Sequence, residues 1–127
     1  PTDAPSNYVD VFSGSSVYAR YRLQNRLDWS LNKWSAGLAH TYVPSIDDLA
    51  NPSAYRVARY NSWDVQFGRS FSDSRNRWLK GLSVSLGVNN FTNATPPYIP
   101  SESNQSHDVN AYDAVGRFVY FQAKYKF

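Results

Sequence analysis

The chain contains no cysteine and no methionine. Without cysteine it can form no disulfide and offers no thiolate nucleophile or metal ligand. It begins at Pro1 rather than Met, so a processed chain or a piece of a longer one is expected. No apolar run approaches the roughly 18 residues a transmembrane helix needs. The opening PTDAPSNYVD lacks the basic segment and apolar stretch of an export signal, which for an exported protein is expected upstream. Histidine is scarce: His40 and His107 stand far apart, with no second His or Cys beside either. No metal site and no cofactor are expected, and the pair His107-Asp108 reads as a solvated loop pair rather than a contact to a metal chelate. Many serines are present but no G-x-S-x-G elbow, so an enzyme is not expected. The net charge is only +3, and the basic residues are spread along the chain. Nucleic-acid binding needs them clustered on one face, so no nucleic-acid partner is expected.

What the chain has in abundance is aromatic residues, at 17% of the sequence. High aromatic content with low overall hydropathy fits strands that are apolar on one side only. It also fits interfacial girdles, where Trp and Tyr favour the headgroup level of a membrane.

Period-two alternation marks such strands. It is plainest in the last stretch, where Val115, Arg117, Val119, Phe121, Ala123, Tyr125 and Phe127 share one parity and Gln122, Lys124 and Lys126 the other. Between Arg20 and Asn32, Tyr21, Leu23, Leu27, Trp29 and Leu31 oppose Arg20, Arg22, Gln24, Arg26, Asp28 and Ser30, with Asn25 the exception. Trp34 to Pro44 alternates again after a short break at Asn32-Lys33, which predicts a hairpin. Tyr55 to Phe71 reads as one long strand, with Trp63, Val65, Phe67 and Phe71 on its apolar side. Arg69 is the misfit there, a cation placed to snorkel to an interface. Leu82 to Val88 alternates strictly.

The expected fold class is therefore all-β: about five antiparallel up-and-down strands forming the C-terminal part of a transmembrane β-barrel. Residues 1–19 read as a loop on the extracellular side, with a partial strand at Tyr8 to Phe12, and residues 20–127 carry the barrel strands. Short connections near residue 33 and at 73–80 alternate with long ones at 44–54 and 93–110. Outer-membrane barrels show that asymmetry, with short periplasmic turns and long outer loops. On this reading Ser83, Ser85, Gly87, Asn89, Asp64, Gln66, Gly68 and Ser70 face a wet lumen and the opposite face meets lipid. A soluble sheet also alternates; strands of ten or more residues and Trp29, Trp34 and Trp78 near the short turns favour the membrane.

Two stretches resemble a known family. GLSVSLGVNNFTNATPP, residues 81–97, resembles the penultimate-strand motif of TonB-dependent outer-membrane receptors, an Asn-Asn-Leu-Phe-Asp-like run followed by Pro-Pro. Here it is Asn89, Asn90, Phe91 and Thr92, then Pro96 and Pro97; the Leu is missing and Thr92 stands where Asp is usual. YDAVGRFVYFQAKYKF, residues 112–127, resembles the family's last strand, with Tyr112-Asp113 and Gly116-Arg117 ahead of alternating aromatics. YNSWDVQFGRSF (60–71) and RLDWSLNKWSAGLAHTY (26–42) resemble the strands before, so the likeness covers about residues 20–127.

The resemblance implies a barrel of about 22 strands with a plugged lumen, of which this chain supplies about the last five. Such receptors sit in the bacterial outer membrane and import ferric siderophores, cobalamin or, in some branches, carbohydrates. The implied partners are outer-membrane lipid, the N-terminal barrel and plug, TonB through that plug, and the barrel-assembly machinery. The family's assembly signal falls by residue match on Phe121, Ala123, Tyr125 and Phe127. Five strands cannot close a barrel, for which about eight are needed, so the outer strands are expected to find partners elsewhere. The alternative is a soluble β-sheet binding module that packs its apolar face on a partner.

Three further features are candidates for function. Arg20, Arg22 and Arg26 share one strand face and either line an anionic path through the lumen or pair with Asp28 and plug residues. Asn90, Asn93 and Asn104 each begin an N-x-S/T triplet, which the barrel reading makes incidental. The 93–110 loop, with Pro96, Pro97 and Tyr98, is positioned to meet ligand from outside.

Overall fold

In a computed structural model, residues 9–13, 16–51, 53, 55–72, 74–102 and 106–126 are described. They contain nine strands and no helix. The strands are β1 (Val11–Ser13), β2 (Ser16–Tyr18), β3 (Leu23–Leu31), β4 (Trp34–Val43), β5 (Ile46–Asp48), β6 (Tyr55–Val57), β7 (Tyr60–Ser70), β8 (Leu82–Asn89) and β9 (Phe118–Tyr125). Five long strands form one sheet in the order β3-β4-β7-β8-β9. Four short ones form another in the order β2-β1-β5-β6. The chain divides into two compact units, one of residues 1–23, 42–61 and 95–114, the other of residues 24–41, 62–94 and 115–127.

The five-stranded sheet is an open antiparallel meander. Asn32 adopts a left-handed backbone, φ 54°, which Asn tolerates, and it turns β3 into β4 within two residues. The backbone N–H of Ser70 donates to the Lys33 carbonyl at 2.8 Å, tying the end of β7 to the start of β4. β7 pairs with β8 so that Val65, Phe67 and Arg69 oppose Val88, Leu86 and Val84. β8 pairs with β9 so that Val84, Leu86 and Val88 oppose Ala123, Phe121 and Val119. Apolar side chains thus line up in rows on one face. The other face carries rows such as Gly68–Ser85–Gln122 and Ser70–Ser83–Lys124. The division of faces expected from parity is the one observed.

The four-stranded sheet corrects the count of about five strands, and it is mixed: β1 runs antiparallel to β2 but parallel to β5. β1 and β2 form a hairpin where a loop is expected; Tyr8, at the head of the expected partial strand, lies outside the described residues. β5 lies inside the expected 44–54 loop and pairs with β6, Ile46 opposite Val57. The expected single strand from Tyr55 to Phe71 is two strands interrupted at Ala58-Arg59. Val57 and Tyr60 are both buried, and residues three apart cannot face the same side of one continuous strand. The two-residue break lets both turn inward. The last strand begins at Phe118 rather than Val115, following Gly116 and Arg117. Asp73, the first residue of the charged turn, and Phe127 lie outside the described residues.

Packing separates the two units sharply. Every buried apolar side chain among the described residues belongs to the first unit: Val11, Phe12, Val43, Ile46, Val57, Tyr60, Ile99 and Tyr112. Two buried carboxylates hold its loops. Asp48 accepts from the backbone N–H groups of Ala50 and Ser101, both at 3.1 Å. Asp108 accepts from Val17 N–H at 2.9 Å and Asn110 N–H at 2.8 Å. Among the described residues of the second unit no apolar side chain is buried, and Leu27 and Phe121 are each 67% exposed.

Candidate functional site: the polar face of the five-stranded sheet

The polar face is built from small residues with a few large planar ones laid across them. On β3, Arg26 donates to Asp28 through Nε at 2.7 Å and Nη2 at 2.8 Å, a two-point pair. Gly37 on β4 makes room for it: a Cβ there would stand 3.1 Å from Asp28 Oδ1. Gln66 of β7 opposes Gly87 of β8, which opposes Tyr120 of β9. A Cβ on Gly87 would run into the Tyr120 ring, so this glycine is what lets that ring lie down on β8. Phe118 stacks with Tyr120, ring centroids 6.3 Å apart and planes 21° from parallel. A belt of guanidinium, carboxylate, carboxamide and phenol therefore crosses the sheet at one level.

Several hollows open on this face. A small one of about 90 Å3 is walled by Arg26, Asp64, Gln66, Asn89 and Tyr120. A larger one of about 350 Å3, toward the short turns, is lined by Ser35, Gly68, Ser70, Ser85, Gln122 and Lys124 among others. Lys33 Nζ donates to Ser72 Oγ at 3.0 Å near its edge.

The three arginines do not share one strand. Arg26 is paired with Asp28 on the sheet. Arg20 belongs to the other unit, where its Nε lies 3.1 Å from Asp10 and its backbone N–H donates to the same carboxylate. Arg22 also belongs there and lines a hollow of about 300 Å3 with Ser16, Val17, Val43 and Asp108. The strand begins only at Leu23, so the parity that placed all three together does not extend to Arg20 and Arg22.

The family-like motif residues are structural pins. Asn90 is 1% exposed, with φ 49°. Its side chain donates to the Ala94 carbonyl at 2.7 Å and accepts from Ala94 N–H at 2.8 Å. Its own N–H donates to Asp64 Oδ1 at 2.7 Å. Phe91 N–H donates to the Trp63 carbonyl. Asn93, also left-handed, accepts from Arg117 N–H at 3.1 Å and sits against Gly116. Asn89 is on the polar face opposite Phe118. Pro96, Pro97, Tyr112 and Asp113 fall in the other unit, where Pro97 and Tyr112 are buried and Asp113 is exposed. Tyr112 packs edge-on against Tyr60, centroids 5.5 Å apart. Burial, and then the Asp108 carboxylate, push its phenol up to about 12.

Of the assembly-signal residues, Phe121, Ala123 and Tyr125 lie on the apolar face of β9, and Phe127 lies outside the described residues. Asn104 lies outside them too. Among the described residues no group of three His, Asp or Glu gathers as a metal site would require. Asp108 is 5% exposed and held by backbone N–H groups, not the solvated half of a His107-Asp108 loop pair; sequence reading also missed the roles of Asp48 and Asn93, whose backbone N–H partners leave no pattern. It also missed the Phe118–Tyr120 pair, whose signal was the glycine at position 87.

Compared with protein-family models, curated proteins and solved structures, the chain matches none.

Proposed function

We propose that the five-stranded sheet is a segment of a transmembrane β-barrel, and that the protein is part of a TonB-dependent outer-membrane receptor that binds and imports a scarce nutrient, a ferric siderophore, cobalamin or a carbohydrate. The observation that carries this is the uncovered apolar face. Leu27, Trp29, Leu31, Phe67, Leu86, Val119 and Phe121 are all exposed, and a contiguous apolar surface of that size calls for a partner phase. Supporting it, aromatic residues stand at both ends of that face, with Phe67 and Phe121 between them. Toward the short turns are Trp29, Trp34, Phe71 and Trp78, with the Arg69 guanidinium 4.4 Å from the Trp34 ring and 4.8 Å from Phe71. Toward the long loops His40 stacks on Trp63 at 4.2 Å and Asn25 Nδ2 donates to His40 Nδ1 at 3.2 Å. Trp63 and Phe71 are separated by about 26 Å along an extended chain, or about 20 Å once strands tilt as in outer-membrane barrels, close to the height of their apolar band. The resemblance of residues 81–97 and 112–127 to the family's last strands supports the same reading.

On this reading the polar face is the lumen wall, and the outer edges of β3 and β9 meet strands of the remaining barrel. The test is folding in buffer against folding in detergent micelles, followed by circular dichroism and size-exclusion chromatography. A β spectrum with monodisperse elution only in detergent is expected. Cooperative folding to a monomer in plain buffer refutes the proposal, and favours a soluble module whose apolar face packs on protein.

A further inference from the structure

The basic residues are spread along the chain, but their excess over the acids is not. From Arg69 to Lys80 four cations, Arg69, Arg75, Arg77 and Lys80, meet one acid, Asp73. The nine other cations and nine other acids cancel, so the whole net charge of +3 lies in this stretch, the end of β7 and the turn into β8. Arg69 lies on the apolar face, opposite Val84. Its guanidinium rests 4.4 Å from the Trp34 ring and 4.8 Å from Phe71, and among the described residues it makes no ion pair. Arg75, Arg77 and Lys80 are exposed, and their side chains too are unpaired among the described residues. The turn is built rather than loose. Asn76 Oδ1 accepts from Trp78 N–H, and the Asn76 carbonyl accepts from Leu79 and Lys80 N–H, all at 3.0 Å. It holds Trp78 outward at 84% exposure, the most of any large apolar side chain described.

We propose that the short-turn end of the five-stranded sheet is a collar for anionic phospholipid headgroups, with one phosphate on the Arg69 guanidinium and others drawn by Arg75, Arg77 and Lys80. A cation on an apolar face is costly at the middle of a bilayer and nearly free at its interface, so Arg69 marks the headgroup level. Two rings support the guanidinium plane but leave its N–H donors unmet, and a phosphate takes two of them at once. Trp34 and Trp78 are the side chains that favour the same level. Every phospholipid carries a phosphate; net charge decides among them. The ammonium of a zwitterionic head is repelled by four cations, whereas phosphatidylglycerol brings no cation of its own. An acidic protein would be drawn to the turn but has no means of reaching Arg69 among apolar rows. Toward the long loops the face carries the Asn25–His40 pair instead, so the two ends of the sheet are not alike. This inference rests on the membrane reading and adds which lipid the short-turn end selects.

The experiment is two-dimensional NMR of the full isotope-labelled chain folded in zwitterionic micelles. It is titrated in parallel with dihexanoyl phosphatidylglycerol, dihexanoyl phosphatidylcholine and inorganic phosphate. Phosphatidylglycerol should produce saturable shifts of the Arg69 Nε–H and of the Trp34 and Trp78 indole N–H signals, and leave Trp63 unmoved. Phosphatidylcholine should bind about tenfold more weakly or less. Arg69→Gln, Arg75→Gln and Arg77→Gln should each weaken the phosphatidylglycerol response about fivefold, the effect of one cation at an anionic surface. Arg59→Gln, in the other unit, should leave it unchanged. Circular dichroism of each variant confirms that the sheet is intact, and the two exposed turn arginines keep the test open if Arg69→Gln does not fold. Equal binding of phosphatidylcholine overturns the proposal, as do equal shifts with inorganic phosphate or a response that all three substitutions leave untouched. A chain that folds in micelles without this preference loses the collar and keeps the barrel reading. A chain that folds to a monomer in plain buffer loses the barrel reading, and the same titration in buffer, with the same outcomes, then decides the lipid site.

Discussion

Replacing Asn90 tests whether the most family-like residue of the chain acts through the backbone. Its carboxamide both donates to and accepts from Ala94, at 2.7 and 2.8 Å, in a site 1% exposed. Asn90→Ala removes the two hydrogen bonds with Ala94, each worth about 0.5–1.5 kcal/mol net, along with a long one from Thr92 Oγ1 at 3.4 Å, and leaves the Ala94 groups without that partner. It also places alanine at φ 49°, which costs about 1 kcal/mol more. The expected loss is about 2–4 kcal/mol. Asn90→Gly loses the same bonds but relieves the backbone, so it should be about 1 kcal/mol less damaging than Asn90→Ala. Equilibrium urea unfolding of the chain, in whichever medium it folds, reads both values. Asn90→Ala within about 0.5 kcal/mol of wild type, the range of an inert surface change, refutes the pinning role. Asn90→Gly proving worse than Asn90→Ala refutes the backbone part of it.

Other outcomes follow from the two units. Asp108→Ala leaves Val17 and Asn110 N–H without their carboxylate, and should cost about 2–4 kcal/mol; amide exchange should speed at Val17 and Asn110 before it does in β8. Because the Tyr112 phenol is pushed up to about 12 in the fold from an ordinary 10.0, its contribution is complete below pH 10 and lost as pH rises through 12. With screening near the surface allowed for, it is worth about 1–2 kcal/mol; Tyr112→Phe should flatten the alkaline fall in stability between pH 10 and 12, and an unchanged fall would contradict it. Leu86→Arg, at the middle of the apolar rows, should cost about 2–4 kcal/mol in a lipid bilayer. The same substitution on a face bathed by water should shift urea unfolding by less than about 0.5 kcal/mol.

The long strands were legible because alternation survives over eight residues or more in β3, β4, β7 and β8. The register then put Phe67, Leu86 and Phe121 in one row, as their shared parity implied. β1, β2, β5 and β6 have three residues each, too few for a period to show. In β9 Phe118 and Tyr120 share the parity of Gln122 and Lys124, which puts them on the polar side, but nothing in the letters says that the two rings stack there. Parity carried back from β3 does not reach Arg22 and Arg20, where the strand no longer runs. Asp48 and Asp108 are ordinary loop residues by composition, and only the fold brings distant N–H groups to their carboxylates.

The buried core of the first unit is drawn from three pieces of chain, residues 1–23, 42–61 and 95–114. Between them lie residues 24–41 and 62–94, which contain the hairpin β3-β4 and the antiparallel pair β7-β8. Closing such loops is entropically costly unless the intervening chain is already ordered. The order of events this predicts is strand pairing first, with the core around Phe12, Ile46 and Ile99 forming late. Truncating those three side chains should therefore speed unfolding far more than it slows folding. The best-packed part of the molecule is then the last to form and the first to be released.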